Sequence, residues 1–180
     1  DLKNFLNISG EKYSGKSHLV NIFLKKFKGI KINANSLNDE NLKSIKPHQN
    51  IILEDLDLNI NEKVIYSLFN IIDQENKFLI VTSTKPITEF NFQLNDFGSR
   101  TKNCLIAMIE KPDDDLMFAL ILKNLSDRQI VLDKKLIDFI IKRIERSYSK
   151  IFEFIYKIDE ISLKKKKSID FKIINEALEK

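Results

Sequence analysis

Residues 10 to 17 read GEKYSGKS and fit the spacing G-x-x-x-x-G-K-[ST], which is typical of a phosphate-binding loop. Glycines at Gly10 and Gly15 let the backbone approach phosphate oxygens, and successive N–H groups then bind the anion at the start of a helix. Lys16 can reach the β- and γ-phosphates, and the Ser17 hydroxyl can bind Mg²⁺. The chain has only four glycines and two lie in this loop, so a chance match is improbable. The residues predicted to bind nucleotide are Gly10, Glu11, Lys12, Tyr13, Ser14, Gly15, Lys16, Ser17 and His18.

Two acids follow a short apolar run in the segment Ile51-Ile-Leu-Glu-Asp55. A buried parallel strand that ends in acids places their carboxylates at the carboxyl edge of its sheet, beside such a loop. One acid can hold Mg²⁺ and the next can polarise an attacking water. Two assignments stay open: Glu54 serves the metal and Asp55 the water, or Asp55 serves the metal with Asp57 as support. The predicted metal ligands are Ser17 and Glu54.

Two further segments carry polar groups that suit phosphoryl chemistry. The run Val81-Thr-Ser-Thr84-Lys-Pro86 ends an apolar stretch, and Thr84 could touch the γ-phosphate or the attacking water. The run Phe97-Gly-Ser-Arg100 follows it and precedes the last predicted strand. The predicted catalytic residues are Glu54, Asp55, Thr84 and Arg100, and Arg100 is expected to be exposed and remote from Lys16.

The pattern of apolar residues predicts the elements that position these groups. Short apolar runs predict strands, and apolar residues at helical spacing predict the helices between them. The predicted strands are 5–8, 30–33, 50–53, 78–81 and 104–109, and the predicted helices are 16–27, 38–45 and 61–74. Short continuous apolar strands separated by helices indicate an α/β fold with a parallel sheet covered on both faces.

The last third of the chain changes character after Pro112, where only helical patterns follow. The predicted helices are 113–125, 133–146, 147–161 and 170–178. The sequence therefore predicts two domains, a nucleotide-binding core over residues 1–110 and a small helical domain over 111–180. The run Lys164 to Lys167 fits either a solvated turn or a phosphate contact.

Composition gives more information about the cellular location of the protein than about its function. Thirty basic and 26 acidic residues give a net charge of +4, which neither requires nor excludes a nucleic-acid partner. A single cysteine, Cys104, leaves no disulfide within the chain, so we expect a reducing, cytoplasmic location. The sequence contains no run of about 18 apolar residues, so no membrane span is predicted. The chain enters a strand soon after Asp1, so we expect its N-terminus to be incomplete.

Together these elements resemble the AAA+ ATPases. The segment KPDDDLMFALILKNLSDRQIVLDKKLIDFIIKRIERS is similar to the start of the helical lid in the family of the bacterial replication initiator DnaA and its short relative Hda. The runs ED, TSTKP, SR and PDDDL…DRQ…LD follow that family's order along nearly the whole chain. The resemblance implies an AAA+ P-loop core followed by a helical lid. It also implies ATP or ADP with Mg²⁺ as ligands.

The resemblance implies a role in regulating the initiation of chromosome replication. DnaA would be the partner, and the sliding clamp would be the platform, reached through a segment upstream of Asp1. DNA association would be indirect, and homo-oligomerisation stays open. Arg100 would promote hydrolysis of DnaA-bound ATP from a neighbouring molecule. The chain ends at Lys180 without room for the DNA-binding domain of DnaA, which favours an Hda-like protein.

The sequence departs from the family pattern at four positions. Glu54 stands where the family usually has Asp, and Thr84 where it often has an acid. Asp96 replaces a second arginine of DnaA, and Ser149 replaces the lid arginine that contacts phosphates. Whether the chain hydrolyses ATP itself therefore stays open. The alternatives are a non-catalytic, nucleotide-dependent scaffold that binds DnaA or DNA, an ATPase-domain fragment of DnaA, and a helicase loader.

Overall fold

The computed structural model describes residues 4–57 and 60–179, which divide into two compact units. The first unit runs up to Gly10 and then from Ser14 to Ile109. The second unit comprises Glu11–Tyr13 and the chain from Glu110 onward. Three residues of the predicted phosphate loop therefore group with the C-terminal segment.

The first unit is built on a parallel sheet. Its strands in the described part of the chain are β1 (Phe5–Ser9), β2 (Gly29–Asn33), β3 (Asn50–Leu56), β4 (Phe78–Ser83) and β5 (Leu105–Met108). Their spatial order is β2-β3-β4-β1-β5, and all neighbouring strands run parallel. Because the strands are parallel, their carboxyl ends all meet at one edge of the sheet. Polar segments that follow β1, β3 and β4 are thereby brought to the same edge.

Helices cover both faces of this sheet. They are α1 (Lys16–Lys26), α2 (Asp39–Ser44), α3 (Glu62–Gln74) and α4 (Asn95–Thr101). Val20 of α1 packs with Ile8, Ile52 and Ile80, whereas α3 packs against the residues that alternate with them along the strands, such as Leu79. This alternation follows from the period of two in a β-strand. The predicted parallel α/β core is confirmed.

Aromatic rings form the centre of the larger core. Phe69 of α3 lies edge-on to Phe5 of β1 with ring centroids 4.6 Å apart, and edge-on to Phe97 of α4 at 4.8 Å. Phe92 contacts Phe97 at 4.4 Å. Edge-to-face pairs add to the stabilisation that burial of the rings already gives. The cluster joins a strand and two helices from three distant parts of the first unit.

The second unit is formed mainly by four helices. Within the described residues they are α5 (Asp114–Asp127), α6 (Lys134–Ile141), α7 (Tyr148–Lys165) and α8 (Phe171–Glu179). Their apolar faces meet in one core, whose fully buried members include Met117, Ile121, Ile140, Ile155, Ile158 and Ile174. No helix in the described part of the chain is long and apolar enough to cross a membrane.

Side-chain caps mark the starts of two helices of the second unit, α5 and α7. Asp113 accepts a hydrogen bond from Leu116 N at 2.8 Å at the start of α5, and Ser147 Oγ accepts one from Lys150 N at 3.1 Å at the start of α7. Lys166 ends α7 in the left-handed conformation, with φ of 53°. In the basic run, Lys164 and Lys165 form ion pairs with glutamates. Lysines in the last turn of a helix are favoured by the helix dipole, so the run fits an ordinary helix end.

One predicted helix was too long, and one helix of the structure was not predicted. The helix predicted over 133–146 ends at Ile141, although Ile144 still packs partly against the helical core. An apolar residue in a turn can continue a helical pattern, which explains the over-extension. Helix α4 was not predicted, because Asn95–Thr101 contains Gly98 and buries only Phe97 and Thr101. Two buried positions are too few to show a helical period.

The aromatic cluster yields a test of the core. Phe69 is 1% exposed and Phe27 is 45% exposed. Phe69→Ala should lower the free energy of unfolding by about 3–5 kcal/mol, because it removes a ring between two others and leaves a cavity. Phe27→Ala should lower it by less than about 1 kcal/mol. Urea unfolding followed by circular dichroism measures both, and equal losses would contradict the described core.

Candidate phosphate-binding site

The loop begins with Gly10, which is held tightly to the edge of the sheet. Its N–H donates to the Ser83 carbonyl at 3.1 Å. A Cβ at this position would lie 2.9 Å from Ser14 Oγ and 3.0 Å from the Cβ of Ile109. A side chain therefore cannot be accommodated without a shift of its neighbours. Glycine is needed here for close approach of the backbone, as the sequence predicts.

The second half of the loop turns through the left-handed region of the backbone. Gly15 has φ of 93° and lies directly before α1, and Tyr13 has φ of 65°. Gly15 has no side chain that could cap α1, so the first N–H groups of the helix are not satisfied by a local cap. Amide groups presented by left-handed turns at a helix start form a concave site that suits anions.

Lys16 spans the loop from its end to its beginning. The side chain is buried, and its Nζ donates to the Gly10 carbonyl at 2.7 Å. A buried ammonium group needs a hydrogen-bonding partner, and the loop carbonyl supplies one. The positive charge is thereby held inside the loop. Ser17 and His18, the next two predicted residues, are exposed on the first turn of α1.

Glu11, Lys12 and Tyr13 group with the helices of the second unit. Glu11 accepts hydrogen bonds from the hydroxyls of Ser147 and Ser149, and from the N–H of Tyr148 at 3.0 Å. Burial alone would raise the pKa of Glu11, but these hydrogen bonds outweigh it and the pKa lies below its usual value. The carboxylate is therefore ionised at neutral pH.

The two predicted acids of β3 lie in a β-bulge. Leu53 pairs with Val81 and Leu56 pairs with Ser83, so Glu54 and Asp55 together face one residue of β4. Asp55 has φ of 59°, and its N–H donates to Thr82 Oγ1 at 3.0 Å. A non-glycine residue in this region carries backbone strain of about 1–3 kcal/mol, which is found most often at functional sites.

The bulge sends the two acids in different directions. Asp55 is exposed and accepts a hydrogen bond from Asn33 Nδ2 at 3.1 Å. Glu54 is buried, and its Oε2 lies 3.0 Å from Lys31 Nζ. Its Oε1 is also buried and has no hydrogen-bond partner among the described residues.

The donor set fits magnesium. A buried, unpaired carboxylate oxygen of Glu54 and the exposed hydroxyl of Ser17 are hard oxygen donors. Mg²⁺ in nucleotide sites takes few protein ligands, since phosphates and water supply the rest. The described residues contain no cluster of three or more His, Cys, Asp or Glu side chains, so this chain offers no all-protein metal cage in that region.

A buried polar network behind the loop was missed by the sequence interpretation. Asn7 of β1 is fully buried, and its Nδ2 donates to Ser83 Oγ at 2.8 Å and to the Val81 carbonyl at 3.2 Å. Its Oδ1 accepts from Ile87 N at 2.9 Å. Thr84 is exposed beyond this network. An asparagine inside the apolar run FLNIS was the available signal, and its role is to fix the segment that follows β4.

Arg100 was expected to be exposed, and the structure shows it as half-buried. Its side chain is 34% exposed and lies on α4, against α3. The guanidinium lies over the Tyr66 ring at 5.4 Å, and Nη1 is 4.0 Å from Asp73 Oδ2. The contacts that hold Arg100 therefore come from α3. They do not come from the phosphate loop.

Comparison with solved structures places this arrangement among known folds. The chain is similar to domain III of the Thermotoga maritima replication initiation protein DnaA, with a TM-score of 0.77 and 17% identity over 99% of this chain and 84% of that one. It is similar to AMPPCP-bound DnaA from Aquifex aeolicus, with a TM-score of 0.67 and 20% identity over 88% and 56% of the two chains. The chain has an AAA+ ATPase fold.

The AAA+ fold also includes a more distant protein. The Thermotoga maritima RuvB Holliday junction branch migration motor matches with a TM-score of 0.70 and 11% identity over 98% of this chain and 61% of RuvB. No protein-family model and no curated protein sequence matches the chain. At these identities the likeness establishes the fold alone. The chain also spans only about three fifths of the longer DnaA and RuvB chains.

The loop glycine and a helix glycine should respond oppositely to the same substitution. Gly15→Ala should lower the free energy of unfolding by about 1–2 kcal/mol, because alanine is strained at φ of 93°. Gly98→Ala should raise it by about 0.4–1 kcal/mol, since Gly98 lies in a helix with nothing within 4 Å of the added Cβ. Thermal unfolding measures both changes. Shifts of the same sign would contradict the left-handed turn at Gly15.

Proposed function

We propose that this chain is a DnaA-related AAA+ protein that binds ATP or ADP with Mg²⁺ and regulates the initiation of chromosome replication. Its partner is ATP-bound DnaA, with the sliding clamp as platform and DNA contacted indirectly. The observation that carries the proposal is the loop geometry. Gly10 packs against the sheet, Gly15 turns left-handed, and Lys16 bridges the loop at 2.7 Å, on a fold shared with DnaA domain III.

Adenine nucleotide is the ligand that the comparisons favour. Two solved DnaA structures with this fold contain AMPPCP, and one of them also contains single-stranded DNA. In the present chain the loop amides and Lys16 bind the phosphates, and Ser17 and Glu54 would hold Mg²⁺. Mg²⁺ held there would neutralise phosphate charge. Asp55 orients the attacking water, and Thr84 contacts the terminal phosphate.

Arg100 provides the regulatory chemistry in this proposal. A guanidinium stabilises the charge that spreads over a transferring phosphoryl group, and it can do so from a neighbouring molecule. The ion pair with Asp73 is long, at 4.0 Å, and Asp73 is 57% exposed. Exposed ion pairs contribute about 0–1 kcal/mol, so opening the pair with Asp73 costs little, although release of Arg100 also breaks its contact with the Tyr66 ring. Arg100 would therefore act in the nucleotide site of DnaA.

A non-catalytic scaffold is the second candidate, and specific contacts favour it. Glu54 is paired with Lys31, and Asp55 is turned toward Asn33. Both acids are thus engaged by β2, which leaves a catalytic role for them dependent on rearrangement. In this case nucleotide would control binding to DnaA or DNA, and Arg100 would have no effect on hydrolysis. Measuring ATP turnover by DnaA with and without this protein separates the two candidates.

Binding of nucleotide by the loop is tested through Lys16. Saturation with MgADP at about 100 times its dissociation constant should stabilise the protein by about 2.7 kcal/mol, or several degrees in Tm. Lys16→Ala should remove most of this shift, because the phosphates lose their main cationic partner. Lys25→Ala, an exposed lysine at the other end of α1, is the charge-matched control and should keep it. A full shift in Lys16→Ala would rule out the phosphate-loop assignment.

The trans-acting role is tested through Arg100. Arg100→Ala should leave MgADP affinity within a few-fold of wild type, yet abolish stimulation of ATP hydrolysis by DnaA in a mixture with DNA-loaded clamp. Arginine fingers are worth about 10³ to 10⁵ in rate, so the loss should be easy to detect. Arg143→Ala is the matched control, because Arg143 also lies over an aromatic ring. If Arg100→Ala weakens MgADP binding as severely as Lys16→Ala, Arg100 acts in its own site.

A further inference from the structure

The phosphate loop contains an anionic side chain, Glu11, which accepts hydrogen bonds from the first turn of α7. Glu11 occupies the first variable position after Gly10, and its carboxylate meets the first turn of α7. Three donors converge on it: the Ser147 and Ser149 hydroxyls and the Tyr148 N–H. An ionised carboxylate has no proton to donate to a phosphate oxygen, and the two negative charges would repel each other. Glu11 therefore does not contact phosphate through its side chain.

The contact is favourable for general electrostatic reasons. The N-terminus of a helix carries partial positive charge and unsatisfied N–H groups, which a carboxylate complements. The helix already has its own cap, because Ser147 Oγ accepts from Lys150 N at 3.1 Å. Glu11 is therefore additional to what α7 needs to begin. Its three hydrogen bonds are charge-assisted, which makes them stronger than bonds between neutral groups.

A second contact supports the same short segment. The Tyr13 ring stacks on Phe152 of α7 with centroids 4.2 Å apart and planes 12° from parallel. Arg128 lies over the same Phe152 ring at 5.6 Å. Glu11 and Tyr13 thus contact successive turns of one helix, and Tyr13 does so in the left-handed conformation. Two anchors on either side of Lys12 define the course of the loop between Gly10 and Gly15.

We propose that Glu11 is a positioning residue, which holds the phosphate loop in its binding conformation through the first turn of α7 before nucleotide arrives. The inference rests on the proposed binding of nucleotide by this loop. Ser147 and Ser149 are the side-chain donors through which α7 holds Glu11. An ordered first turn of α7 then favours nucleotide binding, and by linkage bound nucleotide favours the ordered turn to the same extent.

The inference is tested by breaking the contact from each side. Glu11→Gln removes the charge, and the pair Ser147→Ala with Ser149→Ala removes two donors, together with the Ser147 cap of α7, but keeps the charge. If only about one tenth of loops stay binding-competent, each change weakens MgADP binding about tenfold. Combining all three substitutions should weaken it little further, because they remove one shared interaction. Isothermal titration calorimetry measures the affinities.

Two controls on α7 match these changes. Glu153→Gln removes a carboxylate that pairs with Lys150, and Ser162→Ala removes a hydroxyl from the far end of the helix. Both should leave MgADP affinity unchanged. The inference would be overturned if the two serine substitutions left MgADP affinity unchanged while Glu11→Gln bound MgADP more tightly. Glu11 would then act only by repelling phosphate.

A nucleotide-free measurement separates this inference from the proposed function. In ¹⁵N relaxation experiments on the free protein, the amides of residues 12–15 should be as rigid as the sheet, with order parameters near about 0.85. They should fall toward about 0.6 in the serine pair and stay high in the two controls. Unchanged order in the serine pair would overturn the inference. A loss of order together with no binding of MgADP by wild type would overturn the proposed function alone.

Discussion

The close approach of Gly10 to the sheet is the constraint on which the rest of the site depends. Its N–H is bonded to Ser83 at the end of β4, and Ile109 leaves no space for a side chain. The loop therefore starts at a fixed point between two strands. Lys16 uses the carbonyl of the same residue as its hydrogen-bond acceptor, so the lysine charge is positioned by the same anchor. Without this close approach neither the start of α1 nor the lysine would have a defined position.

The polar groups around this anchor are costly to bury, and the chain satisfies most of them through the sheet. Asn7 takes up donors and acceptors of three residues that would otherwise be buried without partners. Thr82 accepts the N–H of Asp55, whose backbone is strained by the bulge. Four buried side-chain atoms among the described residues lack a hydrogen-bond partner: Ser9 Oγ, Ser14 Oγ, Glu54 Oε1 and Arg100 Nη1. The first three lie in or near the loop and the acidic strand end, where a bound group could satisfy them, and the fourth lies on α4.

The sequence was sufficient for the parts of the fold that depend on local pattern. Strands β3 and β4 each contain a continuous apolar run, and α3 has apolar residues at helical spacing, so the parallel sheet could be predicted. Contacts between distant residues could not. The bond from Asn7 to Ser83 joins residues 76 positions apart, and that from Ser147 to Glu11 joins residues 136 apart. Helix α4 lacks a period long enough to detect, so the surroundings of Arg100 were also missed.

Some predicted site residues already have surroundings that suit their proposed role, and others are held in ion pairs. Lys16 and Gly15 have local constraints that already suit phosphate, since the lysine is buried in the loop and the glycine turns left-handed. Glu54 and Arg100 are instead held by ion pairs with Lys31 and Asp73. A binding role requires only that phosphate enter the loop, whereas a hydrolytic or trans-acting role requires those ion pairs to open. Nucleotide binding is therefore the proposed property that needs the least rearrangement of these residues, whereas the proposed control of a partner's hydrolysis would require Arg100 to leave α3.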